Sequence, residues 1–244
     1  MIEKKITVGN HQIVYYELGQ GQPLVFLHGW GAQPKAYSRT IKELSQQFRV
    51  IAPCLLGHGH SSSIPQEFQF ADYAEVIYQF IKKLNLTNII LVGHSLGGAV
   101  ATYLSQKDPQ IIKKLFLVDS TGLPVKRSKH MWRLLWIKKA LFNLKYWLGY
   151  QQLFKFITHN LMNLANTKRT AKLTKGLDVE NMLQYVTVPT VLLWGKKDFF
   201  FSEEYANRFQ KKIANSRLIV IPGQGHDWCL VQPKLFKKII SANV

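Results

Sequence analysis

The chain has few residues that would cross-link it, hold a metal or anchor it in a membrane. Only Cys54 and Cys229 among its 244 residues are cysteines, which excludes a disulfide framework and gives no zinc-site spacing. No apolar run approaches the roughly 20 residues of a membrane-spanning helix. Residues 1–7 carry no signal-peptide pattern. We therefore expect a cytoplasmic protein that binds no metal.

Acidic residues are also scarce, at 14 against 32 lysines and arginines, so the formal net charge is +18. The excess is concentrated in one segment, because residues 122–177 contain twelve basic residues and no acidic residue, which leaves +6 for the rest of the chain. The hydrophobic content of 47% is ordinary for a globular protein. The length suits one domain that carries an insertion.

A serine stands between two glycines at the end of an apolar run. The run covers residues 88–92, the sequence GHSLG follows at residues 93–97, and a helix-like stretch begins at Gly98. A strand, a sharp turn with serine at its apex and a helix are typical of the nucleophile elbow. Gly93 and Gly97 are expected because side chains there would collide with the neighbouring strand and helix. We predict that Ser95 is a nucleophile.

Strands and helices alternate along most of the chain, which predicts an α/β fold with a mostly parallel central sheet and helices on both faces. Strands are expected at residues 4–8, 12–18, 23–27, 48–52, 88–92, 115–118, 189–194 and 217–221. Helices are expected at residues 36–47, 73–84, 98–107, 203–213 and 231–240. Residues 122–185 interrupt this alternation. We predict a core of residues 1–121 and 186–244, and a helical, basic cap over the carboxyl edge of the sheet.

A serine hydroxyl needs a base and a group that orients the base. In this kind of fold the expected chain order is serine, acid, histidine. Asp198 ends the loop after one late strand, and His226 lies in a glycine-rich loop after the next strand. We predict that Ser95, Asp198 and His226 form a catalytic triad. Asp119, which ends an earlier strand, is a rival acid that chain order disfavours.

Acyl transfer also needs backbone N–H groups that stabilise the developing oxyanion. One donor should be Leu96, the residue after the nucleophile. The turn at residues 28–31, with the sequence HGWG, should supply the other donor from Trp30. The histidines of the glycine loop at residues 57–60 are expected at most to line the site.

These motifs resemble those of the α/β-hydrolase superfamily, over residues 6–240. The matching pieces are residues 27–31, 57–61, 93–98, 194–198 and 225–226. The length, the HGWG turn and the small cap are similar to the serine carboxylesterase branch, which includes pimeloyl-carrier-protein methyl ester esterases. The resemblance implies no cofactor. It also implies a substrate site under the cap, lined by His28, Gly29, His94, Trp132 and Trp136.

One position departs from the family pattern. The family often has an aspartate where this chain has Cys54. That aspartate supports the loop rather than the reaction, so its absence affects the expected rigidity of the loop and leaves the triad unaffected. We expect Cys54 to be a small buried apolar residue.

The basic cap segment predicts a positively charged surface close to the active site. Lys168, Lys172 and Lys175 fall on one face of a helix, and Lys126, Lys129 and Arg133 fall on another. An acidic acyl carrier protein or an anionic membrane surface would suit this charge. A general bias of the proteome towards lysine is the alternative. No nucleic-acid motif accompanies the charge, so no specific nucleic-acid binding is expected.

The residues together favour a hydrolase of carboxylic esters or thioesters, on a small or carrier-borne substrate. A lipase-like esterase at an anionic membrane surface is an alternative. A carbon–carbon bond hydrolase of ring-cleavage products is another, because such enzymes use the same residue types. A non-catalytic binding protein on this fold is disfavoured because all three triad residues are present.

Overall fold

The computed structural model describes residues 1–125, 164–174 and 177–244. In these ranges a single sheet of eight strands forms the centre of the molecule. The strands are β1 (Ile2–Val8), β2 (His11–Leu18), β3 (Pro23–Leu27), β4 (Arg49–Pro53), β5 (Ile89–His94), β6 (Ile112–Val118), β7 (Thr190–Gly195) and β8 (Ser216–Ile221). Their order across the sheet is β1-β2-β4-β3-β5-β6-β7-β8.

The sheet is parallel except at one side. β1 and β2 form an antiparallel hairpin, and β2 pairs antiparallel with β4. All the other neighbours pair in parallel, so the carboxyl ends of β3 to β8 lie at one edge. β4 and β5 flank β3 on opposite sides, so the strand order reverses there. Open α/β sheets bind ligands at such a reversal.

The strands direct alternate side chains to two separate hydrophobic clusters. In β3, Val25 and Leu27 belong to one cluster, whereas Leu24 and Phe26 belong to the other. Buried side chains of β5, β6 and β7 likewise join both clusters. Burial on both faces is typical of a parallel sheet covered by helices on each side. The α/β fold predicted from the sequence is confirmed.

Helices supply the covering layers. They are α1 (Ser38–Leu44), α2 (Phe70–Lys83), α3 (Leu96–Lys107), α4 (Leu164–Thr174), α5 (Glu180–Leu183), α6 (Glu203–Lys212), α7 (Trp228–Val231) and α8 (Pro233–Ser241). Side chains of α2, α3 and α6 join the cluster that contains Val25. Side chains of α1, α7 and α8 join the cluster that contains Leu24.

Two predicted helices differ in their bounds from the observed ones. The helix expected over residues 36–47 is a 3-10 turn at Pro34–Tyr37 followed by the shorter α1, a common arrangement at a helix start. The helix expected over residues 231–240 is present as α8, which begins at Pro233 and ends at Ser241. The chain forms α7, leaves helical geometry at Gln232 and restarts as α8 with Pro233 in its first turn. Proline has no N–H and disfavours helical geometry in the residue before it, so the break falls there.

The described ends of the predicted cap contact the core. Asn166 and Arg169 of α4 bond Ile64 in the loop that follows β4: Ile64 N–H donates to Asn166 Oδ1, and Arg169 donates to the Ile64 carbonyl at 2.9 Å. At the other end, Leu123 N–H donates to the Tyr205 hydroxyl at 2.7 Å. The division into core and cap stays a prediction.

Across the described ranges, we find no helix that combines the length and the apolar character needed to cross a membrane.

Candidate active site

Ser95 lies in the turn between β5 and α3, at the carboxyl edge of the sheet. Its backbone has φ 52° and ψ −115°, a conformation that residues with side chains rarely adopt. Ser95 N–H donates to the carbonyl of Val118 on β6 at 3.0 Å, and Thr121 N–H donates to the Ser95 carbonyl at 3.2 Å. β6 and the turn after it therefore hold the strained residue in place.

Glycines flank Ser95 because adjacent backbone leaves no room for side chains. A Cβ on Gly93 would lie 2.3 Å from the carbonyl oxygen of Gly97. A Cβ on Gly97 would lie 2.2 Å from the carbonyl oxygen of Leu27, at the end of β3. The collisions that the sequence predicted at both glycines are confirmed. β3, β5 and α3 meet backbone to backbone around the serine.

Ser95, His226 and Asp198 form one chain of hydrogen bonds. Ser95 Oγ lies 3.1 Å from Nε2 of His226, and Nδ1 of His226 lies 2.8 Å from Oδ2 of Asp198. In a neutral imidazole, Nδ1 donates to the carboxylate, so Nε2 accepts from the serine hydroxyl. The structure brings together the three residues that the sequence predicted, in an arrangement suited to proton transfer.

The Asp198 carboxylate is fixed by the loop that carries it. Its side chain has 0% exposure. Oδ1 accepts from Phe200 N–H at 2.7 Å and from Phe201 N–H at 3.1 Å, which leaves Oδ2 directed at His226. These backbone donors stabilise the ionised carboxylate away from water.

Two aromatic rings border the histidine. The ring centroids of Phe200 and Phe201 lie 5.1 Å and 5.6 Å from that of His226. They shield the hydrogen bond between His226 and Asp198 from water, which strengthens it. Sequence reasoning missed both residues, although the run of three phenylalanines directly after Asp198 was a visible signal.

Asp119 lies beside this chain and takes no part in it. Its Oδ1 accepts from Gly195 N–H at 2.8 Å. A carboxylate oxygen of Asp119, one of Asp198 and a ring nitrogen of His226 lie within 4.8 Å of one another. Burial raises the pKa of the Asp119 carboxyl well above its usual range, and the Asp198 charge raises it further. The N–H groups of Gly195 and Trp228 oppose this shift.

Among the described residues, two groups of side chains have the residue types and proximity to share a cation. One group is His94, His226 and Asp227, and the other is Asp119, Asp198 and His226. Both groups require His226, whose ring nitrogens already contact Ser95 and Asp198. The donor set is therefore engaged in a path for proton transfer.

The turn at residues 28–31 lies against the serine. A Cβ on Gly29 would lie 3.3 Å from the Ser95 Cβ, so this glycine borders Ser95, and its contact with substrate stays a prediction. Trp30, half-buried, is the next residue. Leu96 is the first residue of α3, so its N–H has no acceptor within the helix. The two predicted oxyanion donors thus stand on the two segments that meet at Ser95.

His28 and His58 support that turn from inside the protein. His28 Nδ1 donates to the Gly29 carbonyl at 2.8 Å, and its Nε2 accepts from Leu55 N–H at 3.0 Å. His58 accepts from Gly31 N–H at 3.2 Å. Both ring nitrogens of His28 bond backbone groups and the side chain is buried, and its contact with substrate stays a prediction.

His94 is also buried. Its ring nitrogens lie 2.7 Å from the Tyr37 hydroxyl and 2.9 Å from the His226 carbonyl oxygen. Substrate binding at His94 stays a prediction, as it does at His28. Tyr37 was missed because no motif contains it.

Other predicted positions have separate outcomes. Trp132 and Trp136 lie outside the described residues. Cys54 is fully buried beside Val14 and Tyr16, as expected for a small apolar residue, and burial raises the pKa of its thiol to about 12. The loop after it does not depend on an aspartate, because Ser61 Oγ donates to the Cys54 carbonyl at 2.8 Å.

Comparison with known families gives two matches. A family model described as alpha/beta hydrolase fold matches residues 22–174, which is more than half of the chain. A model described as PhoPQ-activated pathogenicity-related protein matches residues 144–241.

Individual relatives include hydrolases of different kinds. The chain is 26% identical to 2-hydroxy-6-oxo-6-(2'-aminophenyl)hexa-2,4-dienoic acid hydrolase of Metapseudomonas resinovorans, over 95% of this chain and 86% of that protein. It is 25% identical to Lipase 1 of Psychrobacter immobilis, over 91% and 78%. The solved structure of a serine hydrolase involved in carbazole degradation matches with a TM-score of 0.88 at 25% identity, covering 99% of this chain and 97% of that one.

The raised pKa of Asp119 predicts a dependence of stability on pH. The folded protein keeps the Asp119 proton at a pH where the unfolded chain has released it, so its contribution to stability is complete below about pH 4 and declines as pH rises. We expect Asp119→Asn to reduce the loss in free energy of unfolding between pH 5 and pH 8, measured by urea denaturation. Glu67→Gln, at an exposed acid, is the control for a lost charge. An unchanged slope in Asp119→Asn would contradict the assignment.

Proposed function

The chain belongs to the α/β hydrolase family, and we propose that it is a serine hydrolase that cleaves carboxylic esters through an acyl-Ser95 intermediate. The observation that carries the proposal is the hydrogen-bond chain from Ser95 to His226 to Asp198, at 3.1 Å and 2.8 Å. This series of hydrogen bonds begins at Ser95, in a strained turn beside the N-terminus of α3.

Acylation follows from that geometry. Ser95 Oγ attacks the ester carbonyl carbon while its proton moves to Nε2 of His226. Asp198 accepts the Nδ1 hydrogen bond and stabilises the imidazolium that forms. The tetrahedral intermediate collapses, the bond to the alcohol oxygen breaks, and the alcohol leaves with the proton from Nε2. Ser95 then carries the acyl group as an ester.

Hydrolysis of the acyl-enzyme repeats these steps with water. Nε2 of His226 takes a proton from water, and the water oxygen attacks the acyl carbonyl. Collapse of the second tetrahedral intermediate breaks the bond to Ser95 Oγ, which regains the proton from Nε2. The carboxylic acid leaves. In both steps we assign the oxyanion to the backbone N–H groups of Trp30 and Leu96.

The described surroundings suit an apolar acyl group. Trp30 is partly buried and directly follows Gly29, which borders Ser95. Phe200 adds a buried ring beside His226. Apolar walls with few polar groups are typical of small-molecule sites. Esters with an aliphatic or aromatic acyl chain, and the corresponding thioesters, are the proposed substrate class.

Carbon–carbon bond hydrolysis is the second candidate. It is favoured by the relative named as a dienoic acid hydrolase and by the match to the carbazole-degradation hydrolase. The same serine, histidine and aspartate would serve that reaction, so a direct comparison of substrates must separate the two.

We also propose that the basic surface near α4 attracts an acidic partner, either a carrier protein that delivers the acyl group or an anionic membrane. Lys168 and Lys172 are exposed on α4. Arg169 and Asn166 fix this helix on the loop after β4, and His58 of that loop bonds the turn beside Ser95. The loop after β4 therefore connects the positively charged helix α4 to the turn beside Ser95.

The first test is a substrate panel with a matched nucleophile variant. The parent protein should hydrolyse p-nitrophenyl esters of graded chain length, and Ser95→Ala should lower kcat by at least about 10³-fold with the fold intact. A fluorophosphonate probe should label Ser95 alone. Faster turnover of a dienone-type carbon–carbon substrate would favour the second candidate. Activity retained within tenfold in Ser95→Ala would reject the mechanism.

The second test separates the two buried acids. Asp198→Asn should lower kcat by up to about 10⁴-fold because the histidine then adopts the wrong tautomer. Asp119→Asn should lower kcat by about tenfold or less because Asp119 does not bond His226. Circular dichroism of both variants checks the fold. A larger loss in Asp119→Asn would show that the acid is the residue directly after β6.

The third test concerns the basic surface. The double variant Lys168→Glu and Lys172→Glu should lower kcat/KM for a carrier-linked or vesicle-borne ester and leave a small neutral ester nearly unaffected. Lys175, which falls on the same predicted face, lies outside the described residues. Higher salt should have the same effect as the variant, since the screening length falls from about 10 Å at 0.1 M to about 3 Å at 1 M.

The control reverses the same charges elsewhere. Lys234 and Lys238 are exposed, share the spacing of Lys168 and Lys172, and lie on α8, across the sheet. Their double substitution to glutamate should leave turnover of the acidic substrates unchanged. Equal losses in both double variants would mean that the charge acts through overall attraction rather than through this surface.

A further inference from the structure

His94 connects the residue beside the nucleophile to the loop of the base. It is the last residue of β5, directly before Ser95, and is 2% exposed. Nδ1 of His94 lies 2.7 Å from the Tyr37 hydroxyl, and Nε2 lies 2.9 Å from the backbone carbonyl oxygen of His226. Both ring nitrogens of this buried histidine are therefore engaged.

The direction of each hydrogen bond follows from the partners. A carbonyl oxygen only accepts, so Nε2 of His94 must carry the proton. In the neutral ring Nδ1 then accepts from the Tyr37 hydroxyl. The Tyr37 oxygen in turn accepts from Gly29 N–H at 3.1 Å. The result is one continuous chain of donors that runs from Gly29 through Tyr37 and His94 to His226.

The two ends of this hydrogen-bond chain lie in glycine-containing segments of the site. Gly29 belongs to the glycine turn beside Ser95. His226 ends a loop that contains Gly223 and Gly225, and Gly223 has φ 74°. Other bonds hold this loop at earlier residues, for example Lys197 N–H to the carbonyl of residue 224 at 2.7 Å. The bond from His94 holds it at residue 226.

We propose that His94 is a positioning residue that fixes the backbone of His226 relative to Ser95 and, through Tyr37, ties the turn at Gly29 to the same frame. The proposal rests on the proposed function of Ser95 and His226. Because His94 and Ser95 are consecutive, any shift at the end of β5 moves the nucleophile and the anchor of its base together. The 3.1 Å separation between Ser95 Oγ and His226 Nε2 is thereby preserved.

This role predicts a specific kinetic signature. His226 transfers protons in both acylation and deacylation, so a misplaced ring should lower kcat. A displacement of about 1 Å can cost about 100-fold in rate. KM should not change because both ring nitrogens of His94 bond groups of the protein. An interaction that acts only in the transition state lowers kcat and kcat/KM by the same factor.

Two substitutions at His94 provide the main test. His94→Phe keeps a ring of similar size and removes the donor to the His226 carbonyl, so kcat for a p-nitrophenyl ester should fall about 100-fold at constant KM. His94→Gln retains an amide donor at similar reach and should restore kcat to within about tenfold of the parent. Equal kcat in His94→Phe and the parent, or no recovery in His94→Gln, would overturn the proposal.

Tyr37→Phe tests the same chain without changing the histidine. It removes one hydroxyl and should lower kcat about tenfold at constant KM. Tyr78→Phe is the matched control, because it removes a tyrosine hydroxyl that bonds Asp108 on a distant surface. A Tyr37→Phe variant that is kinetically the same as Tyr78→Phe would overturn the part assigned to Tyr37. This arm stays informative if the His94 variants do not fold.

A measurement without substrate separates this proposal from the proposed function. In ¹⁵N-histidine spectra at pH 7, the signals lost in His94→Gln should show a protonated Nε2 and an accepting Nδ1. A protonated Nδ1 would overturn the hydrogen-bond chain whatever the activity. Absence of ester hydrolysis together with an unlabelled Ser95 in the parent would reject the proposed function, while the tautomer of His94 would still decide the contact with His226.

Discussion

Backbone-to-backbone contact at the carboxyl edge of the sheet is the constraint on which the site depends. Gly93 and Gly97 let β3, β5 and α3 approach so closely that a methyl group on either glycine would overlap a carbonyl. The turn that remains forces Ser95 to φ 52°, and a hydrogen bond from β6 keeps it there. Packing of four elements thus maintains the strained conformation of Ser95. The positions of the other site residues are set relative to this serine.

Two buried aspartates in one site have different surroundings, and this difference distinguishes their roles. Asp198 receives two backbone N–H groups and the histidine ring, so its charge is compensated where it stands. Asp119 is equally buried, and both burial and the neighbouring charge of Asp198 raise its pKa. A carboxyl that favours its neutral form is a poor partner for an imidazolium. The chain order that pointed to Asp198 therefore has a physical counterpart in the number of donors around each carboxyl.

The sequence predicted what depends on local pattern. The apolar run before Ser95 and the glycines around it indicated the turn, and the alternation of elements indicated the parallel sheet. It did not predict the contacts of His94, whose partners Tyr37 and His226 are 57 and 132 residues away. Contacts between residues so far apart produce no recognisable spacing in the sequence. A histidine at that position is equally compatible with facing the substrate and with facing the core. The break before Pro233 was readable from the sequence, since proline restricts the residue before it.

The relatives are named as hydrolases of different substrates, which bears on the part of the structure that selects the substrate. A lipase and a dienoic acid hydrolase each align with more than nine-tenths of this chain. Ester and carbon–carbon bond cleavage both need a nucleophile, a base and an oxyanion site, so the frame around Ser95 does not by itself choose between them. The choice then falls to residues outside this frame, and we propose that Trp30 and the segment between β6 and β7 contribute to it. That segment also carries +9 of the net charge of +18, since it holds twelve basic and three acidic residues, so the part of the chain that we propose to select a substrate is also suited to attract one of negative charge.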